Sequence, residues 1–273
     1  MTYTQVLYTV NSGIATVSMN RPAARNGYTM TMADELSSAL TEADQDPDVR
    51  VVVLTGEGTD FCVGADLSGG STTDGVATDG SWQEPAGRCS RRIYESSKPV
   101  IAAIRGAAVG AGSTIVLPAD YRLAATDSRF GFVFTQRGFF PEGGSAWYLP
   151  RLVGMGTASD WMISGRVFGA EEALAAGLVH RLFPADEVYP AAIALAEELI
   201  ATTAPVSVAV TRQMLLRMSA MDSPHPAHDL DSRLIAGIFT SPDAAEGIMS
   251  FLERRPPRFP GTVPADLPEF LPW

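Results

Sequence analysis

Apolar and polar residues alternate between positions 6 and 19 on either side of Asn11-Ser12-Gly13, the pattern of a β-hairpin closed by an Asn and Gly turn. From Thr31 the period changes, and Met32, Leu36, Leu40 and Ala43 recur at helical spacing. Val51-Val52-Val53-Leu54-Thr55 is then a continuous apolar, β-branched run, which predicts a strand buried on both faces. A helical segment around residues 92–97, a second buried run at 100–104 and a strand at 121–125 continue the series. Strand, loop and helix in repeated alternation predict an α/β fold with parallel strands. From Ala185 onward the pattern is helical almost throughout, most clearly at 193–200 and 206–218. The expected division is a core over residues 1–199 that carries the site, and a helical region with a Pro-rich tail over 200–273.

Two stretches interrupt the periodicity. Residues 68–87 are rich in Gly, Ser, Thr and Asp and predict a long mobile loop, of the kind that often serves as a lid. At the other end, Arg254-Arg255-Pro256-Pro257-Arg258-Phe259-Pro260-Gly261 and the tail to Trp273 cannot continue a helix, because proline fixes φ and lacks an N–H. That tail is expected to lie across a surface or a neighbouring subunit.

Composition narrows the classes. A chain of 273 residues calls for one large core or a core with an appendage. Apolar residues at 46% and charged ones at 19%, below the usual ~25%, exclude general disorder. A net charge of −11 argues against a nucleic-acid or anionic-membrane partner, while leaving room for a small anionic ligand held by local arginines. Only Cys62 and Cys89 occur, so neither a disulfide framework nor a CxxC knuckle exists, and a reducing, cytoplasmic setting fits. The N-terminus MTYTQVLYTV has no basic flank or apolar h-region, and the weakly polar stretch 106–118 is too short and Gly-rich to span a bilayer. A soluble, non-exported protein is expected.

Three motifs carry candidate chemistry. Gly56-Glu57-Gly58 and Phe61-Cys62-Val63-Gly64-Ala65-Asp66-Leu67 follow a buried strand directly, where α/β sheets present loops to ligands. Such a turn can aim N–H groups into a cleft, or be an ordinary tight turn. Arg105-Gly106-Ala107-Ala108-Val109-Gly110-Ala111-Gly112-Ser113-Thr114 again follows a buried strand. Its glycines permit close backbone approach and a helix start offers free donors, yet close packing alone explains them equally, and the spacing is not G-x-G-x-x-G. In Phe139-Phe140-Pro141-Glu142-Gly143-Gly144-Ser145, Glu142 either complements a helix dipole or acts as a base. The second role draws on Phe132, Phe134, Phe139, Phe140, Trp147 and Tyr148, whose poor hydration would raise its pKa.

Other candidates are weaker. His225-Pro226-Ala227-His228 with Asp222, Asp229 and Asp231 has the look of a metal cluster, but prolines 224 and 226 predict a solvated loop instead. Cys62 has no His nearby in sequence and reads as a small buried filler. Neither a GxSxG elbow nor a GxxxxGK[ST] loop is present, which weakens the serine-hydrolase and nucleotide-hydrolase readings.

Together FCVGADL, KPVIAAIRGAAVGAG and PEGGSAWYLPRLVG, in this order and at these separations, resemble the enoyl-CoA hydratase/isomerase (crotonase) family. Met19-Asn20-Arg21-Pro22, Arg25-Asn26 and Arg254-Arg255-Pro256-Pro257-Arg258-Phe259 extend the likeness over residues 6–261. In motif it is closest to the peroxisomal-type 3-enoyl to 2-enoyl-CoA isomerases. The resemblance implies an α/β spiral of ββα units, a C-terminal helical trimerisation region, and a homotrimer or hexamer. Its substrate would be an acyl-CoA thioester, coenzyme A being part of the substrate, with no separate cofactor or metal.

By the same resemblance the backbone N–H groups of Ala65 and Ala111 would hold a thioester enolate oxygen, helped by the positive end of the segment after Gly112. The two glutamates usual in the family's hydratases match Thr114 and Phe134 here, and neither moves a proton at neutral pH. Glu142 falls where the peroxisomal-type isomerases carry their single acid, which takes a proton from C2 and returns it at C4. Adenine and pantetheine would lie near Arg25, Asn26 and the turn from Ala65 through Asp66 to Leu67, with Gly64 and Gly110 also binding substrate. The phosphates would meet Arg25 or the Arg254, Arg255 and Arg258 cluster, and the acyl group Phe134, Phe139, Phe140 and Trp147. The expected activity is a double-bond shift from 3-enoyl-CoA to 2-enoyl-CoA in fatty-acid breakdown. The alternatives are hydration by Glu142 alone and a non-catalytic acyl-CoA binder.

Overall fold

A computed structural model describes residues 3–68 and 82–273. The chain opens with a hairpin of β1 (Val6–Asn11) and β2 (Ile14–Met19), in which Val6 faces Met19 and Asn11 faces Ile14. Its two-residue turn puts Ser12 at φ 51° and Gly13 at φ 82°, both positive, as the twist of a tight hairpin requires. Helix α1 (Met30–Gln45) starts where Thr29 Oγ1 accepts the Met32 N–H at 3.0 Å, and β3 (Val51–Gly56) then runs parallel to β2.

After α2 (Pro85–Glu95) come β4 (Val100–Ile104), β5 (Ala107–Val109), the single turn α3 (Ala111–Thr114), β6 (Tyr121–Ala125) and β7 (Arg129–Gly131). There follow α4 (Ser145–Val153), α5 (Met155–Ser164), β8 (Val167–Gly169), α6 (Ala170–Ala175) and β9 (Arg181–Phe183). A six-stranded sheet runs β1-β2-β3-β4-β6-β9, parallel throughout after the hairpin, and a smaller sheet runs β5-β7-β8. From β4 to β5 and from β6 to β7 the chain passes out of the large sheet into the small one, so the path winds as a spiral.

Both faces of the central strands β3 and β4 are covered, which explains why these two read as unbroken apolar runs. Val52 and Leu54 of β3 join Met32, Leu36 and Leu40 of α1 on one side. Val51 and Val53 turn to the other side, against Val188, Ala192 and Ala196 of α7 (Val188–Thr202). Helix α7 packs across β2, β3, β4 and β6, so the core runs to Thr202 and a division at residue 199 falls inside that helix. The helical region proper is α8 (Pro205–Met218), α9 (His225–Gly237) and α10 (Pro242–Glu253).

Two expectations change, and that for the tail is made specific. Helix α2 begins at Pro85 rather than near 92, because Glu84 caps it and its buried side is built of small residues, Ala86, Cys89 and Ser90 with Ile93. The rest of the predicted lid, 69–81, lies outside the described residues. The His225 segment is the first turn of α9, not a loop, since a proline in that turn gives up an N–H that has no intrahelical partner. The tail lies across the chain's own helices: Arg217 of α8 is 5.4 Å from the Tyr94 ring and 5.7 Å from that of Trp273, and Arg233 of α9 is 4.2 Å from that of Phe270. Among the described residues no single helix is long and apolar enough to cross a membrane.

Candidate active site

The carboxyl ends of β3 and β4 are joined by a short ladder. Phe61 N–H donates to the Arg105 carbonyl at 2.7 Å, Cys62 N–H to that of Ala107 at 2.9 Å, and Val109 N–H to that of Cys62 at 2.9 Å. Cys62 therefore faces Ala108, and Ala65 and Ala111 each lie three residues further along. On either side of Ala65, Tyr28 N–H reaches the Gly64 carbonyl at 2.8 Å and Asp66 N–H reaches the Tyr28 carbonyl at 2.9 Å. Gly110 N–H donates to Gly131 at 2.8 Å, while Ser113 and Thr114 N–H groups return to the Gly110 carbonyl at 3.0 and 3.1 Å. Among the described residues the N–H groups of Ala65 and Ala111 have no protein acceptor.

Glycine makes this proximity possible at two positions. Gly110 stands at φ 56°, ψ −120°, a conformation that side-chain-bearing residues avoid, and a Cβ on it would lie 3.5 Å from Gly64 Cα. A Cβ on Gly64, at φ 96°, would lie 3.0 Å from the Val109 carbonyl oxygen. The two turns touch backbone to backbone. Because α3 has only four residues, the expected helix dipole has little length to build on, and the free amides themselves are the donors the site offers.

Glu142 enters from the loop before α4. Ser145 pins it, its N–H and hydroxyl both donating to the Glu142 carbonyl, at 3.0 and 2.7 Å. The next residue, Gly143, rests between two helices: a Cβ there would be 3.2 Å from Thr114 Cβ and 3.6 Å from Ala86 Cβ. Burial pushes the Glu142 carboxyl up to about 7, and the charge of Glu84 adds to the effect. Its field also reaches Cys62 and Tyr28, beside the first turn. Burial pushes the Cys62 thiol up to about 12, which leaves it protonated and unreactive at neutral pH. A partly buried carboxyl poised near neutrality, on a loop whose Gly143 abuts Thr114 of the turn that carries the unpartnered Ala111 amide, has the parts to move a proton while a negative charge develops on an oxygen held by such donors.

Glu84 escaped sequence reasoning, because it stood inside a segment assigned to loop. Its Oε2 accepts the Gly87 N–H and its Oε1 the Gly143 N–H, both at 2.7 Å. The available signal was an acid directly before a proline, the order of an N-cap followed by a proline in the first helical turn. Thr114, expected from the motif resemblance to match a hydratase glutamate, donates its hydroxyl to the Ala111 carbonyl at 3.1 Å, and Phe134 is buried.

Several residues expected around the ligand are committed elsewhere. Asn26 is fully buried: its Oδ1 accepts the Arg21 N–H at 2.8 Å and its Nδ2 donates to the carbonyls of Glu57 and Asp60 at 2.9 and 2.8 Å. It ties the first turn together and has no group left for a nucleotide. Arg25 is 63% exposed yet donates twice to Asp60, at 2.7 and 3.2 Å. Asp66 pairs with Arg21 at 2.8 Å and accepts the Ser68 N–H and hydroxyl, which hold its carboxyl at about 2. Leu67 is 54% exposed at the rim, whereas Gly64 and Gly110 are buried between the turns.

The aromatic residues divide as well. Phe139 and Phe140 are 53% and 86% exposed, because Gly138 at φ 69° turns the chain outward before Pro141. They do not line an acyl pocket within this chain. Trp147 stands edge-on to Tyr148 at 4.9 Å and to Tyr94 at 6.2 Å, with the Arg151 guanidinium 3.9 Å from its ring centre. In the basic cluster, Arg255 is neutralised by Glu246 and Glu253, at 2.5 and 2.6 Å.

A parallel sheet wound into a second, smaller sheet and closed by C-terminal helices is the α/β crotonase fold. The family model for enoyl-CoA hydratase/isomerase matches residues 9–262, and the chain belongs to that family. The enoyl-CoA hydratase ACTT3 of Alternaria alternata is 37% identical over 256 residues, covering 92% of this chain and 84% of that protein. The enoyl-CoA hydratase EchA19 of Mycobacterium tuberculosis is 34% identical over 245 residues, covering 89% and 91%. Among solved structures, an enoyl-CoA hydratase from Mycobacterium tuberculosis superposes with a TM-score of 0.85 at 33% identity, covering 94% of this chain and 99% of that one. One from Bacillus anthracis gives 0.84 at 28%, with the same coverage. These relatives carry the name of hydratases, where the motif resemblance pointed to isomerases.

Proposed function

We propose that this chain hydrates a 2-enoyl-CoA, with the amides of Ala65 and Ala111 receiving the thioester oxygen and Glu142 handling the proton. The observation that carries the reading is the pairing of two unpartnered amides with one carboxyl held at about 7. The names of the relatives support water as the second substrate. In the proposed step the Glu142 carboxylate takes a proton from water as the oxygen adds to C3. Charge moves to the thioester oxygen, where the two amides stabilise it, and the acid formed returns its proton to C2. Water is added across the double bond, and Glu142 ends as it began.

A second reading rests on the motif resemblance. By that resemblance Thr114 and Phe134 match the two glutamates with which the family's hydratases fix the water, and an acid that only shifts a proton from C2 to C4 needs no water. Product analysis separates the two: 2-enoyl-CoA gives a 3-hydroxyacyl-CoA by hydration, whereas 3-enoyl-CoA gives 2-enoyl-CoA by isomerisation. Glu142→Gln is expected to lower kcat by roughly 10²-fold or more, with acyl-CoA affinity changed by less than about threefold. A variant that keeps most of its rate would remove Glu142 from the mechanism. A chain that binds acyl-CoA tightly but neither turns it over nor exchanges its C2 proton in heavy water would be a binder and not an enzyme.

A further inference from the structure

Glu84 holds two backbone amides at once, one at the start of α2 and one 59 residues away in the loop that carries Glu142. Capping a helix needs only the first bond, and a Ser, Thr, Asp or Asn suffices for it. The extra methylene of a glutamate lets the second oxygen cross to Gly143. On its other side Gly143 presses against Thr114 of α3, the turn that presents the Ala111 amide. The Glu142–Gly143 peptide is thus gripped between the donor-bearing turn and a carboxylate.

We infer that Glu84 is a positioning residue for the base: its carboxylate clamps the Glu142–Gly143 peptide to the start of α2 and places a negative charge beside the group that moves the proton. The inference rests on Glu142 acting as that base. Other titratable groups near Glu142 are uncharged at neutral pH. Burial pushes the Tyr28 phenol well above its ordinary range and the thiols of Cys62 and Cys89 up to about 12. Turn α3 contributes only Ala111, Gly112, Ser113 and Thr114. Of the cations on flanking helices, Arg88 of α2 pairs with Asp34 at 2.5 Å, Arg92 of α2 with Glu95 at 3.2 Å, and Arg151 of α4 lies over Trp147; neither these nor Arg91 of α2 bears on the Glu142 carboxyl as the charge of Glu84 does. Glu84 is therefore the charged group whose field bears on Glu142 among the described residues.

Two substitutions separate the clamp from the charge. Glu84→Gln keeps one acceptor oxygen and removes the charge, so the acidic limb of the kcat/KM profile should move down by about 0.5–1 pH unit. Glu84→Asp keeps the charge but is too short to hold both amides, so kcat should fall about 10-fold with the limb unmoved and KM within about twofold. Thermal unfolding of both variants checks that the loss does not merely follow the folded fraction. A Glu84→Gln profile that coincides with wild type, or a Glu84→Asp enzyme with undiminished kcat, would overturn the inference and leave Glu84 a plain helix cap. Glu142→Gln is run in parallel. If it stays active, the base assignment itself falls; if it is inactive while the Glu84 variants behave as wild type, only the clamp is lost.

Discussion

Holding a carboxyl at about 7 makes Glu142 a group whose ionisation works against folding. Its folded-state pKa stands above the ordinary value of 4.5, so its contribution to stability is fully present below about 4.5 and is lost as pH rises through about 7. Glutamine in its place has no charge to desolvate. Glu142→Gln should therefore be more stable than wild type at pH 8 by about 1–3 kcal/mol, a gain that vanishes towards pH 4.5. Urea unfolding at the two pH values measures it, and a difference independent of pH would mean that the carboxyl is not held in a poorly hydrated place. The sequence offered Glu142 as a candidate because aromatics surround it along the chain, but Phe139 and Phe140 turn outward, and the burial that raises its carboxyl comes with the charge of Glu84, which no local pattern announced. The place of Asn26 was not legible. Its burial depends on carbonyls at Glu57 and Asp60, which no local pattern connects to position 26.

Among elements, the turn at Gly110 bears most directly on chemistry. Alanine there would have to adopt φ 56°, ψ −120° with its Cβ 3.5 Å from Gly64, so the peptide that follows must rotate and the Ala111 amide must turn with it. Gly110→Ala should lower kcat by about 10²–10³-fold, as removal of one oxyanion donor does, while circular dichroism still reports a folded protein. Full activity in that variant would show that the amide of Ala111 is not a donor. Strands β3 and β4 were readable because a strand covered on both sides leaves an unbroken apolar signature. Helix α2 was only half visible: alanine, cysteine and serine fill its buried side, and small residues leave a faint period. The start of α9 was misread because a proline is disruptive inside a helix but acceptable in its first turn.

At the scale of the molecule, α9, α10 and the turn between them carry Ile235, Phe239, Ile248, Phe251 and Leu252 exposed, Phe251 at 81%. A group of large apolar side chains on neighbouring elements marks an interaction surface. The trimer implied by the family resemblance would cover it. Sedimentation equilibrium is expected to give a mass three or six times the chain's 29.0 kDa, and Phe251→Asp to shift it towards one chain. A wild-type protein that sediments as a monomer would refute the assembly. The α/β layout and the helical region were legible as periodicity followed by helix and the spiral only through the family resemblance, whereas polar contacts joining the two parts were not legible at all. Arg212 of α8 is buried and donates to Asp120 and to the carbonyls of Ile93, Tyr94 and Ser96, at and just past the end of α2. Glu84 fastens the opposite end of the same helix to Gly143. The 11 residues between form a strut about 16 Å long, anchored to the helical region at one tip and to the proton-bearing loop at the other. Any rigid displacement of the outer helices is therefore levered straight onto the placement of Glu142.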